Sequence, residues 1–269
     1  MQHVRMRSAL ERRGLALGCA AAGLLTVARD LRRARRVTRL GPPAPTIDAR
    51  IAPPNRGSAA PASSLPPIQL VALGDSSIAG VGASQLSACL AVQIAQRVAT
   101  GCDRAVHIRG YGVSGARTAD VARQAQDLDP AVPPDAIVIV VGANDVAHVT
   151  SPWRYVRTVA SVHRGLRERF DAPVIVCSLP EFRAMTVVGA PLRTLAIVYG
   201  RLLGVFQRLT VRRIPGVHWV NGRALAGPAF RRLPHAMAAD GYHPSDLGYT
   251  LPADTLAPAV VRVVNAARV

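Results

Sequence analysis

From Ile68 onward the chain repeats one pattern: a short apolar run, then a longer stretch whose apolar positions recur at helical spacing. The apolar runs are residues 68–73, 105–110, 136–141 and 173–179, with a weaker one at 217–220. The helical stretches are 86–100, 119–128, 153–170, 192–213 and 253–267. Runs without polar alternation belong to strands buried on both faces, and parallel pairing of such strands requires a crossover helix between them. Five alternations therefore predict one α/β domain of about 200 residues, a five-stranded and mostly parallel sheet with helices on both faces. Hydrophobic residues make up 49% of the 269-residue chain, enough for a full core.

In such sheets functional groups gather just beyond the carboxyl ends of the strands. That rule puts Ser76, the turn Val113–Thr118 and Asn144 on one rim, each just past its strand, while Asp240 and His243 arrive from the loop before the last helix. Taken singly, each signal has an ordinary structural reading. Ser76-Ser77 after Gly74-Asp75 suits a helix N-cap, and Asp240-Gly241-Tyr242-His243 suits a polar turn closed by Pro244.

Together they make a reaction centre. A serine hydroxyl attacks a carbonyl only when a base accepts its proton and a third group orients that base. Ser76 fits the nucleophile, His243 the base and Asp240 its partner. The oxyanion formed on attack needs preorganised donors, which the Asn144 amide and the backbone N–H of Gly115 can provide.

These blocks, GDSS (Gly74–Ser77), GVSG (Gly112–Gly115), GAND (Gly142–Asp145) and DGYH (Asp240–His243), resemble in residues and in order those of the SGNH hydrolase superfamily, also called GDSL lipases and esterases. The resemblance runs from about Ile68 to the C-terminus. It implies a three-layer α/β/α sandwich of SGNH or flavodoxin-like type and a Ser-His-Asp hydrolase acting on a small-molecule or lipid ester without metal or cofactor. Carried over by position, Ser76, Asp240 and His243 would be catalytic, and Ser76, Gly115 and Asn144 would form the oxyanion hole. Two positions depart from the family pattern: Ser77 replaces the usual Leu, and Gly110 stands where Asn is frequent. An acyltransferase would use the same site and the same first half-reaction.

The N-terminal part reads differently. Residues 1–40 hold an uncharged fifteen-residue apolar run, Gly14–Ala28, between Arg12-Arg13 and an arginine cluster that begins at Arg29. This is short for a spanning helix and suits a signal-like or membrane-associated segment at the cell envelope, with a cytosolic extension as the alternative. Residues 41–67, with eight prolines, read as an extended and poorly ordered linker, leaving 68–269 as the hydrolase domain. The net charge of +17 comes from arginine alone, since the chain has no lysine, and +8 of it lies in the first forty residues. Aromatics are only 4% of the chain and do not interleave with a basic patch, so no nucleic-acid partner is expected. A nucleotide-binding loop is disfavoured too, because the glycine-rich stretch after residue 74 has neither GxGxxG nor a GK[ST] ending. A non-catalytic membrane or nucleic-acid adaptor on the same fold would leave Ser76, Asn144 and His243 without purpose. Cys19, Cys89, Cys102 and Cys177 have no metal-ligand spacing, and Cys177 reads as a buried core thiol.

Overall fold

Strand β2 (Ile68–Gly74), inside the sheet, shows why the apolar runs lack alternation. Leu70 and Ala72 enter a core beneath one face, while Val71 and Leu73 enter a second core beneath the other. Strands β3 (Val106–Gly112) and β4 (Ala136–Val140) flank β2 in parallel, and β5 (Val174–Cys177) and β6 (Val217–Val220) continue the sheet beyond β4. The first core is closed by α1 (Leu90–Cys102) and α7 (Asp246–Ala266). The second is closed by α2 (Val121–Gln126), α4 (Pro152–Arg169) and α5 (Ala190–Val211). The result is the expected three-layer α/β/α architecture. This computed structural model describes residues 47–54 and 65–267, together with Arg29, Asp30 and Arg32.

The sheet has six strands, one more than the sequence pattern implies. The extra strand, β1 (Ile47–Ile51), lies inside the segment 41–67 expected to be a linker, and it pairs antiparallel with β3 to give the order β1-β3-β2-β4-β5-β6. Proline-rich composition hides it, because the strand itself is only IDARI, with Ile47, Ala49 and Ile51 alternating with Asp48 and Arg50 as a half-buried edge does. Ile47 is buried against Gly110, where a Cβ would come within 3.0 Å of the Ile47 Cβ. A larger residue at 110 would push this edge strand away, so the departure from the family's Asn has a packing reason here. The folded unit therefore includes residues before Ile68. Residues 1–28, 41–46 and 55–64, and with them the expected membrane-associated run, lie outside the described residues.

Helix boundaries differ where proline misleads. Helix α7 starts at Asp246, about two turns earlier than expected, because Ser245 caps it by accepting from the Gly248 N–H, and Pro252 and Pro258 are carried inside it. Two short helices, α3 (Ala143–Ala147) and α6 (Gly222–Arg232), have no clear periodic signal, the second being interrupted by Gly227 and Pro228. Cys89 and Cys102 stand at opposite ends of α1, about 20 Å apart at 1.5 Å per residue, too far to bridge. Cys177 is the buried thiol expected, and burial pushes it up to about 12.

One core residue couples the fold to pH. His163 on α4 is 1% exposed, its Nδ1 faces the Val159 carbonyl at 2.7 Å, and its Nε2 has no partner. Burial pushes its pKa down from 6.5 to about 4, so between those values the unfolded chain binds the proton and the folded one does not. Stability is then fully present above 6.5 and falls as pH drops toward 4, by roughly 3 kcal/mol from this group. Urea unfolding at pH 7 and pH 4 should show His163→Leu losing about 3 kcal/mol less than the wild type over that interval. Equal losses would mean that the ring is protonated inside the fold.

Candidate active site

Ser76 emerges from β2 through a turn whose backbone is fixed from three sides. Gly74 donates its N–H to the Gln124 side-chain oxygen at 2.9 Å and accepts from the Gln124 Nε2 at 2.7 Å, so a buried side chain continues the strand ladder. Asp75 N–H bonds the Val140 carbonyl of β4, and Val113 N–H bonds the Gly74 carbonyl from beyond β3. Below the turn, Gly112 touches it so closely that a Cβ would lie 2.2 Å from the Ala79 nitrogen. This close approach explains the first glycine of the GVSG block.

The second and third blocks are bound to each other. Gly115 adopts a left-handed φ of 82°, turning the chain on the rim. Next to it, the Ala116 carbonyl accepts from Asn144 Nδ2 at 2.9 Å, which uses one of the two amide hydrogens. Asp145 then receives both the N–H and the hydroxyl of Thr118, each at 2.8 Å. Asn144, Asp145 and Thr118 are all buried, so the turn 113–118 and the start of α3 are held as one unit.

The fourth block is a turn organised by its own acid. One Asp240 oxygen accepts from the N–H groups of Tyr242 and His243 at 2.8 and 2.9 Å, and the other faces His243 Nδ1 at 2.6 Å. The far ring nitrogen, Nε2, lies 3.0 Å from Ser76 Oγ. Around this contact the two loops are tied together: Tyr249 donates to the Val81 carbonyl, Ser84 N–H and hydroxyl both bond Asp246, and at Gly82 a Cβ would strike the Pro244 carbonyl.

Asp240, His243 and Ser76 thus form one hydrogen-bonded line, with His243 2% and Ser76 6% exposed. Partial burial raises the Asp240 carboxyl, but bonds from the His243 ring and from the Tyr242 and His243 amides outweigh it and hold its pKa below the ordinary value. Asp240 is therefore ionised when it faces Nδ1, which keeps the hydrogen on that nitrogen and leaves Nε2 free to accept from the hydroxyl. Asp75, beside the serine, is pushed up to about 6 by burial, against its bonds from Ser77 and the pull of His243. Tyr242 packs edge-on against the His243 ring at 4.9 Å, and its buried hydroxyl has no partner.

Ser76 and His243 border a cavity of about 90 Å³ walled by Phe182, Met185, Phe230 and Met237. Residues 181–199, running from the end of β5 into α5, carry many apolar side chains. The first part, Glu181 to Met185, lines the cavity, whereas the later part belongs to α5. All five candidate residues sit on the rim, with Ser76, His243 and Asp240 in contact and Asn144 bonded beside Gly115. Gln124, Thr118 and Asp145, which hold three of them, were not singled out. Asp145 lies within a block, but Gln124 has no sequence signal, being one of three polar residues in the six-residue helix VARQAQ. Among the described residues no cluster of His, Cys, Asp or Glu could hold a metal ion.

Comparison with known proteins agrees with this geometry. The sequence profile of the GDSL-like Lipase/Acylhydrolase family matches residues 72–251. The chain is 34% identical over 191 residues to the GDSL-like esterase Rv1075c of Mycobacterium tuberculosis, covering 70% of this chain and 60% of that protein's length. Among solved structures it resembles the acetylxylan esterase Axe2 of Geobacillus stearothermophilus, at 20% identity and TM-score 0.53 over 73% of this chain and 94% of that one. It also resembles LAE5, an alpha/beta hydrolase enzyme from the metagenome of Lake Arreo, at 19% identity and TM-score 0.57 over 74% and 96%. At such identities the structural likeness concerns the fold, and the family rests on the profile, which matches well over half of the chain: the chain belongs to the GDSL-like lipase/acylhydrolase family.

Proposed function

We propose that the protein is a serine carboxylic ester hydrolase working through an acyl-serine intermediate. The observation that carries this reading is the unbroken line from Asp240 through His243 to Ser76, at 2.6 and 3.0 Å, on the border of a cavity. His243 Nε2 takes the proton of Ser76 Oγ as the oxygen bonds to the ester carbonyl carbon. The charge that develops on the carbonyl oxygen is received by the N–H groups of Ser76 and Gly115 and by Asn144. Collapse of the tetrahedral species breaks the bond to the alcohol oxygen, which leaves with the proton from His243. Water then repeats the sequence and releases the acid. Transfer to a second alcohol in place of water would make the same site an acyltransferase, and product analysis with added alcohol separates the two.

The size of the cavity sets the acyl group. The cavity beside Ser76 is small, about 90 Å³, and walled by Phe182, Met185, Phe230 and Met237, which favours a short acyl chain over a long one. Hydrolysis of p-nitrophenyl esters should therefore have its highest kcat/KM at acetate to butyrate and fall by roughly tenfold or more at octanoate, whose extra carbons lose their burial. A maximum at octanoate or longer would place the acyl chain elsewhere.

Ser76→Ala should abolish turnover and labelling by a fluorophosphonate while leaving the unfolding transition unchanged. Ester hydrolysis near the wild-type rate would reduce Ser76 to a structural turn residue. Asn144→Ala should lower kcat by about a hundredfold or more with KM little changed, since the oxyanion exists only in the transition state. A higher KM at constant kcat would assign Asn144 to substrate binding instead.

A further inference from the structure

Helix α5 carries an apolar stripe that nothing in the described structure covers. Leu195, Val198, Leu202, Val205 and Leu209 are 65%, 61%, 43%, 53% and 50% exposed. Their spacing of three and four residues puts them in one line about 21 Å long, while Leu203 and Val211 on the opposite side enter the core. Scattered exposed apolar residues are ordinary, but five in register on one helix are not.

Charge identifies what fits against it. Between Glu181 and Asp240 the chain has nine arginines and no Asp or Glu. Arg201, Arg208 and Arg212 are exposed on the same helix face as the stripe, and Arg208 stacks over Trp219 at 5.5 Å. A second copy of the helix would bring arginine against arginine with no acid to pair, which disfavours a symmetric helix pair. Apolar residues bordered by arginine instead match a surface with hydrocarbon beneath and phosphate at its edge. Among the described residues no helix is long and apolar enough to cross a membrane, so α5 would lie on such a surface rather than span it.

Two further placements agree. Tyr199 donates to the Thr150 carbonyl and so fastens to α5 a loop and helix start that expose Val149 and Trp153, 70% and 73%. Tryptophan is well suited to the headgroup level of a bilayer. Asp30, from the arginine cluster that follows the apolar N-terminal run, accepts from Gly189 N–H at the start of α5. Asp30 therefore touches the domain at the start of the same helix.

We infer that the exposed face of α5 is a docking surface for an anionic phospholipid membrane.

The test uses the full chain with vesicles of phosphatidylcholine alone or mixed with phosphatidylglycerol, read by flotation and by tryptophan emission. The wild type should bind the anionic vesicles roughly tenfold more tightly, with a blue shift from Trp153 and weakening in salt. Leu202→Glu with Val205→Glu, both on the solvent face, should remove the shift and most of the binding while hydrolysis of a soluble ester stays unchanged. Arg201→Gln should weaken only the preference for anionic lipid. The inference is overturned if wild type binds neither vesicle, if the double variant binds and shifts as the wild type does, or if sedimentation shows a wild-type dimer that the double variant dissociates.

Discussion

A 3.0 Å contact between Ser76 and His243 joins residues 167 positions apart, and most of the polar structure on the rim keeps that distance short. Neither residue lies within a regular element, so neither inherits its position from a helix or strand. Loops move at little free-energy cost unless tied, and a misplacement of about 1 Å is enough to lose most of a catalytic arrangement. The ties are therefore redundant: Gln124 holds the strand end before Ser76, Asp246 and Tyr249 join the serine loop to the start of α7, and the Gly241 carbonyl accepts from Thr186 and Val187 across the pocket. Each such bond contributes only about 1 kcal/mol, but several act on the same two loops.

The same region concentrates groups that are costly to bury. Asp75 and Tyr242 are withdrawn from water near His243, and Tyr242 leaves its hydroxyl unpaired. Burial alone pushes a carboxyl up, as it does Asp75; the bonds from the His243 ring and from two amides reverse this at Asp240, so the group that orients the imidazole is the one kept ionised.

Much of this was legible in the sequence because parallel strands covered on both faces leave long apolar runs, as in Leu70–Leu73 and Ala136–Val140. The four rim blocks were legible because each combines glycine with a polar side chain directly after such a run or before the last helix. Strand β1 was not, since five residues of half-buried alternation disappear among eight prolines. The start of α7 was missed because Pro252 reads as a boundary, although the Ser245 cap and the core packing of Tyr249 outweigh the lost backbone bond. Gln124 was invisible for a different reason. Its role is a tertiary replacement for a strand's hydrogen bonds, and no local pattern encodes a partner fifty residues away.

Cys177 closes β5 just before the loop that leads to Phe182 and the pocket wall, and Gln207 of α5 donates to its carbonyl. Buried, and with almost none of its sulfur ionised at neutral pH, it is inert as long as the strand is closed. A small thiol reagent can reach it only during a transient opening. Its modification rate in the native protein therefore measures how often this part of the sheet opens, and with what free energy, in plain buffer and at the strand beneath the site.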